Sequence, residues 1–266
     1  MNNFKSIFKI SLGIVSVLIF LQVALMVHSF QKPIFFAAGI GWIPLMQYLL
    51  AHGDSVNERN HGDWDISGMN FGGGTTPLHF AASESRTKMV AYLIDHGADV
   101  NVANAEGQTP LQWAVDGGHL SIVKSLLAHG ANVDHVDGQG HSALDDAISQ
   151  CHNDIVHVLL EHGATLHANK YTGQTPLHCA AASGDVELAR ECIARKANVD
   201  ARDKLGETPL CYAALDGHLA MVQYLAGSGA DINARDTNLN FTPLDFAKLH
   251  RHHEVVVFLL AHGGHK

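Results

Sequence analysis

The chain has 266 residues, 47% of them hydrophobic and 16% charged, with a formal charge of −9 when its 20 histidines are neutral. That length allows one or two ordinary domains, and the acidic balance disfavours nucleic acid as a partner. The four cysteines show no C-x-x-C spacing, which excludes zinc-ribbon and thioredoxin-like readings.

In chain order the first element is an apolar run over residues 10–27, interrupted by Ser11, Gly13, Ser16 and Gln22 and preceded by Lys5 and Lys9. Its length suits a short transmembrane helix or the core of a long signal peptide. The preferred reading is an N-terminal hydrophobic helix kept as a signal anchor at 10–27. Residues 1–9 are then a cytoplasmic flank, because the lysines stay on the cytoplasmic side, and everything that follows lies outside the cytoplasm. The alternative is cleavage after Val27-His28-Ser29, which releases a secreted or periplasmic soluble protein. Residues 1–27 hold two lysines and no acid, so the −9 of the whole chain leaves −11 for the remainder. A remainder that acidic leans towards a cationic partner or towards none in particular.

From Thr76 onwards one phrase recurs six times: Thr76-Pro77-Leu78-His79, Thr109-Pro110-Leu111-Gln112, Ser142-Ala143-Leu144-Asp145, Thr175-Pro176-Leu177-His178, Thr208-Pro209-Leu210-Cys211 and Thr242-Pro243-Leu244-Asp245. The intervals are 33, 33, 33, 33 and 34 residues. A fixed period of that size indicates a solenoid, in which each unit packs mainly on its neighbours. In each phrase the Ser or Thr is a natural N-cap, and in five of them a proline stands at the first helical position, where its missing N–H has no intrahelical partner anyway. The first helix is short and ends, in the regular units, at Gly118, Gly184 or Gly217. A second helix follows with apolar residues at i, i+3 and i+4, as in Met89, Val90, Leu93 and Ile94, or Ile122, Val123, Leu126 and Leu127. It ends at a second phrase that keeps the same step, as in Gly97-Ala98-Asp99-Val100-Asn101 and Gly130-Ala131-Asn132-Val133-Asp134. Segments such as Asn104-Ala105-Glu106-Gly107 and Asp137-Gly138-Gln139-Gly140 carry turn chemistry and form projecting hairpin tips.

The two phrases together resemble the ankyrin repeat, whose T-P-L-H-x-A signature stands complete at Thr76–Ala81 and Thr175–Ala180. The resemblance implies an all-α ankyrin-repeat solenoid of helix-turn-helix units joined by β-hairpin loops, here preceded by the N-terminal hydrophobic helix. Extending the register backwards adds a degenerate unit marked by Pro33, Ala37-Ala38, Gly41, Leu49-Leu50, Gly53, Val56 and Asn57. The repeat domain then spans 33–266, with units near 33–59, 72–103, 104–136, 137–169, 170–202, 203–236 and 237–266. Pro33 and Pro77 lie 44 residues apart, so an insertion of about 11 residues near 60–71 lengthens one hairpin tip. The first unit carries Ile34, Phe35, Phe36, Ile40 and Trp42, which either meet a membrane interface or pack on the second unit. Ser85, Cys151 and Arg251 replace a helix-ending glycine, as does Lys196. Each is expected at positive φ at a cost of about 1 kcal/mol, which weakens the unit around 173–205.

The histidines invite a metal reading, but His52, His96, His129, His162 and His262 each precede a helix-ending glycine, where a helix dipole favours imidazolium. His79 and His178 belong to the repeat signature, and the resemblance implies that they bond neighbouring backbone. The dense run His250-Arg251-His252-His253 lacks the H-E-x-x-H spacing of a zinc helix. Cys179 and Cys192 fall at apolar positions and read as small buried hydrophobes, with a disulfide between them left open. No nucleophile elbow, phosphate loop or dinucleotide fingerprint is present, so the chain is expected to be no enzyme and to need no cofactor or metal.

The resemblance places partner contacts on a concave face. By register its hairpin-tip residues are Ala105, Glu106, Gln108, Gln139, His141, Tyr171, Gln174, Lys204, Leu205 and Glu207. Its first-helix residues are Ser83, Glu84, Asp116, Gln150 and Asp216. The insertion adds Trp64, Ile66, Met69 and Phe71, which either anchor a partner or fold back onto the first two units. The expected function is a membrane-anchored monomeric scaffold that binds a protein partner; the alternative is a secreted accessory factor to an extracytoplasmic enzyme.

Overall fold

The structure, a computed structural model, describes residues 33–61, 65–66, 69–70 and 73–265. Its chain divides into two compact units, Met1–Asp99 and Val100–Lys266. Among the described residues no helix is long and apolar enough to cross a membrane. The hydrophobic helix expected at 10–27 lies outside them.

The first unit holds two helix pairs, α1 (Pro33–Ile40) with α2 (Ile43–Ala51) and α3 (Pro77–Ser83) with α4 (Thr87–Asp95). Between the pairs, β1 (Asp65–Ile66) and β2 (Met69–Asn70) run antiparallel, pairing Asp65 with Asn70 and Ile66 with Met69. This two-residue ladder lies within the insertion of an otherwise all-helical repeat array. Its base is closed by buried Asn60, which exchanges backbone bonds with Thr75 and Gly74 at 2.9 and 2.8 Å. Its side-chain oxygen accepts the Thr75 N–H at 2.7 Å. In the first repeat, Ile34 and Phe35 are fully buried, and the Phe35 ring packs on Phe80 of α3 with centroids 5.5 Å apart. Packing on the second repeat therefore accounts for Phe35.

The second unit repeats the same pair five times. The helices are α5 (Pro110–Asp116) with α6 (Leu120–Ala128), α7 (Ala143–Ser149) with α8 (Asn153–Glu161), α9 (Pro176–Ser183) with α10 (Val186–Ala194), α11 (Pro209–Leu215) with α12 (Leu219–Gly227), and α13 (Pro243–Leu249) with α14 (His253–Ala261). Each first helix starts where the repeated phrase places it, with Ser142-Ala143 standing for Thr-Pro at α7. Reciprocal capping boxes form at Thr109/Gln112, Ser142/Asp145, Thr175/His178 and Thr242/Asp245. In α11 the fourth position is Cys211, and the Thr208 hydroxyl donates to its sulfur at 3.4 Å instead.

The helix-ending histidines add a second, side-chain donor to the carbonyl that their own backbone N–H already takes. The Nδ1 of His129, His162 and His262 donates to the carbonyls of Ser125, Val158 and Phe258 at 2.7–2.8 Å. His52 and His96 do the same in the first unit, stacked on Tyr48 and Tyr92 with ring centroids 3.9 Å apart. Ser85, Cys151, Lys196 and Arg251 stand at φ of 59°, 50°, 66° and 62°, so the glycine register correctly marks these left-handed positions. Asn240, at φ 58°, is a fifth that the register does not reveal.

Adjacent repeats of the second unit are stitched through the last residue of the Gly-Ala-x-Val-Asn phrase. Asn101 donates to the Gly130 carbonyl at 2.9 Å and accepts the Asn132 N–H at 2.7 Å. Asp134 accepts from Thr165, Asp200 from Asp231, and Asn233 from His265, each at 2.9 Å. Each such pair joins backbone to side chain across a repeat boundary.

Candidate interaction face

Hairpin tips of the second unit are built on an Asn or Asp whose side chain collects the backbone N–H groups of the turn. Asn104 accepts from Glu106 and Gln108, Asp137 from Gln139 and His141, and Asp203 from Leu205 and Glu207, all within 2.8–3.0 Å. Successive tips are joined by a backbone rung: Gly138 N–H to Glu106 O at 2.8 Å, Lys204 N–H to Thr172 O at 2.9 Å and Thr237 N–H to Leu205 O at 2.8 Å. Gly107, at φ 82°, is required there twice over, because a Cβ would also fall 2.6 Å from the Gly138 nitrogen.

The residues expected by register divide into two groups. Ala105, Glu106, Gln139, Tyr171, Lys204 and Leu205 are exposed at the tips, with Tyr171 and Leu205 about half accessible at 49% and 50%. Asp116, Gln150 and Asp216 are exposed at first-helix ends, and the Gln150 amide donates to Asp116 at 2.7 Å. The others are tied into the scaffold. Gln108 accepts from the Trp113 indole at 3.0 Å, and the Gln174 amide donates to the Tyr212 hydroxyl at 2.8 Å, which donates to Asp203 at 2.9 Å. His141 is half-buried, its ring edge-on to Tyr171 at 4.3 Å, and Glu207 is half-buried too. In the first unit, Ser83 bonds the Phe80 carbonyl at 3.1 Å, and Glu84 lies 4.0 Å from Arg86. Trp64 and Phe71 lie outside the described residues, and Ile66 and Met69 fall in β1 and β2.

Sequence reasoning passed over the residue after each four-residue phrase. Trp113, Asp146, Cys179 and Tyr212 form a column at a constant step of 33, which is the signal that could have found it. Burial, reinforced by Asp116, Asp137 and Asp145, raises the Asp146 carboxyl to about 7. Burial, then Asp203 and Asp236, likewise raises Glu207. The face thus carries acids that repel one another, while Lys170 and Lys204 each stand 6.0 Å from the Tyr171 ring.

His178 shows how deeply the signature histidine is structural. Its Nδ1 accepts the Thr175 N–H at 3.1 Å, so its Nε2 carries the proton and donates to the Glu207 carbonyl of the next repeat at 3.1 Å. Burial lowers its pKa below the usual 6.5. Among the described residues no three His, Cys, Asp or Glu side chains gather to hold a metal ion.

One junction departs from the pattern. Between the units 137–169 and 170–202 the tip runs six steps from Asn169 to Thr175 against five from Asp137 to Ser142, a length shared by the last tip from Asp236 to Thr242, which keeps its rung. Among the described residues no backbone rung joins these two tips; the Lys170 ammonium takes the Gln139 carbonyl at 3.1 Å in place of the Lys170 N–H. The stitching Asn or Asp is replaced by His167, which turns back to Ser142 at 3.1 Å and lies 3.6 Å from Asp145. First helices pack closely between α5 and α7, α9 and α11, and α11 and α13; at this junction α9 packs on α8 and reaches α7 through the bond of Cys179 to Ile148.

All four cysteines are free thiols. Cys192 is buried and pushed up to about 12, chiefly by that burial. The Cys179 thiol donates to the Ile148 carbonyl at 2.9 Å, the same oxygen that the Cys151 thiol approaches at 3.6 Å.

Three copies of a family model described as ankyrin repeats match residues 8–104, 99–170 and 164–236. The chain therefore belongs to the ankyrin-repeat family. It is similar to the crystal structure of the human ASB11 ankyrin repeat domain at 24% identity and a TM-score of 0.65, covering 89% of this chain and 100% of that one. That likeness concerns the fold. The search among curated proteins found no match.

Proposed function

We propose that the protein is a non-enzymatic scaffold that binds a partner presenting basic side chains through the hairpin tips and first-helix ends of residues 100–266. The observation that carries this reading is Asp146, whose carboxyl is raised first by burial and then by the negative field of Asp116, Asp137 and Asp145 gathered around it. A cation from a partner would relieve that field. The exposed Tyr171 and Leu205 supply apolar contact area beside it. The insertion at 60–71, with Trp64, Ile66, Met69 and Phe71, is the second contact in this reading, and the protein acts as a monomer.

A photo-crosslinking amino acid at Tyr171 or Gln139 tests the face, with Lys124 on the exposed side of α6 as control. A shared product at the two tip positions, lost on Asp146→Asn or Glu106→Ala and not seen from Lys124, is expected. Equal crosslinking from Lys124 would refute the reading.

The apolar run at 10–27 supports an uncleaved anchor that holds the repeats outside the cytoplasm. The small Ser29 supports the alternative of a secreted or periplasmic accessory factor to an extracytoplasmic enzyme. Carbonate extraction together with the mature N-terminal residue separates them: a start near Phe30 would remove the anchor.

A further inference from the structure

Two of the four thiols sit within the atypical junction between 137–169 and 170–202. Cys151 follows α7 at φ 50°, where sister repeats place Gly118, Gly184 and Gly217. It is exposed, whereas Cys179, in the first turn of α9, is buried. Both sulfurs turn to one atom, the Ile148 carbonyl oxygen, at 3.6 Å from Cys151 and 2.9 Å from Cys179. Sharing that oxygen places the two sulfurs side by side.

We infer that Cys151 and Cys179 are a dithiol modification site that takes low-molecular-weight disulfides such as oxidised glutathione and closes to a reversible disulfide across this junction. The Cys151 thiolate attacks one sulfur of the small disulfide, forming a mixed disulfide and releasing one small thiolate, which takes up the proton Cys151 lost. The Cys179 thiol then gives up its proton and attacks the Cys151 sulfur, and the second small thiol leaves with that proton. Two protein thiols lose two electrons and two protons, and the small disulfide gains both to become two thiols.

The division of roles follows from the surroundings. The adjoining Cys179 thiol lowers the Cys151 thiol to about 7 against the opposing effect of burial, so the exposed sulfur is the one more readily ionised. Cys179 is pushed well above the ordinary thiol range by the neighbouring Cys151 and by burial. An external reagent therefore meets Cys151 first, and Cys179 acts through proximity. The other two thiols, Cys192 and Cys211, are buried with their pKa raised and offer no competing entry point. The product covalently joins the end of α7 to α9, at the place where the tip rung and the Asn stitch are replaced.

The test is a non-reducing tryptic map of the full chain after equilibration with oxidised and reduced glutathione. Cleavage at lysine and arginine puts Cys151 in peptide 125–170, Cys179 in 171–190 and Cys192 in 191–195. The expected product joins 125–170 to 171–190, is about 2 Da lighter than the two free peptides and separates on adding dithiothreitol. No such product, a link from 171–190 to 191–195, or Cys151 carrying glutathione without closing would overturn the proposal. A second measurement uses alkylation by iodoacetamide. The rate at Cys151 should have its midpoint near pH 7 and move up by a unit or more in Cys179→Ser; an unmoved midpoint in a folded variant would remove the activation argued here. Oxidised wild-type protein should also unfold at higher urea than reduced protein, and Cys151→Ser should show no such difference.

Discussion

Replacing Asp146 by Asn should stabilise the fold in alkaline solution and progressively less in acid. Its carboxyl is raised from 3.8 to about 7, so the unfolded chain ionises it more readily than the native one. A raised native pKa contributes stability that is full below the unfolded value and lost as pH rises through the native one. Over that gap of about three units, at about 1.4 kcal/mol per unit, ionisation costs the native state roughly 4 kcal/mol at pH 8, about half that at pH 5.5 and about 1 at pH 4.5. Hydration of a half-buried carboxylate screens these figures, so a gain of about 2–4 kcal/mol at pH 8 is expected. The assay is urea unfolding of wild type and Asp146→Asn at pH 8 and pH 5.5, comparing the two differences so that other titrating groups cancel. The amide keeps the shape of the side chain, so packing is not in question. A variant no more stable than wild type at pH 8, or one stabilised equally at both pH values, would refute the reasoning. If Asp146 also meets a basic partner, the same variant should bind more weakly while folding more firmly.

His178 should act with the opposite sign. Its native pKa lies below 6.5, so the stability of its neutral form is present above pH 6.5 and is lost as pH falls; His178→Gln, imitating Gln112 in an earlier repeat, should remove that loss in an acid titration of stability. Lys196→Gly should raise the urea midpoint by relieving its left-handed backbone, by about 0.5–1 kcal/mol, whereas no change would show that the lysine sits there without strain. Asn101→Ala removes both a donor to Gly130 and an acceptor for Asn132 and should cost about 1–3 kcal/mol by chemical denaturation. A loss within about 0.5 kcal/mol would mean that water replaces both bonds.

The helices were legible because capping is local. Thr109, Pro110 and Gln112 carry everything the start of α5 needs within four residues, and the period of the glycine column alone marks Cys151, Lys196 and Arg251 as left-handed. Proximity across repeats was less legible. Asp146 gathers its charged neighbours from three different places, Asp116 in the previous repeat, Asp137 in the tip and Asp145 beside it. Cys151 and Cys179 are 28 residues apart, off the period of 33, so a reading by register pairs Cys179 with Cys192 in its own repeat and misses the diagonal contact. The longer tip between Asn169 and Thr175 could be counted, but the intact Thr175-Pro176-Leu177-His178 phrase conceals it.

The rungs between hairpin tips are main-chain bonds, and that has an evolutionary consequence. Glu106 and Leu205 contribute only their carbonyls, so other residues at those places preserve the spacing of the tips while changing what they present, whereas the Thr172 hydroxyl also braces its own tip through Asn169 and Gln174. Recognition can therefore drift by point substitution on a ruler whose divisions do not move. At Lys170 the division and the mark are one side chain, and substitution there alters spacing and chemistry together.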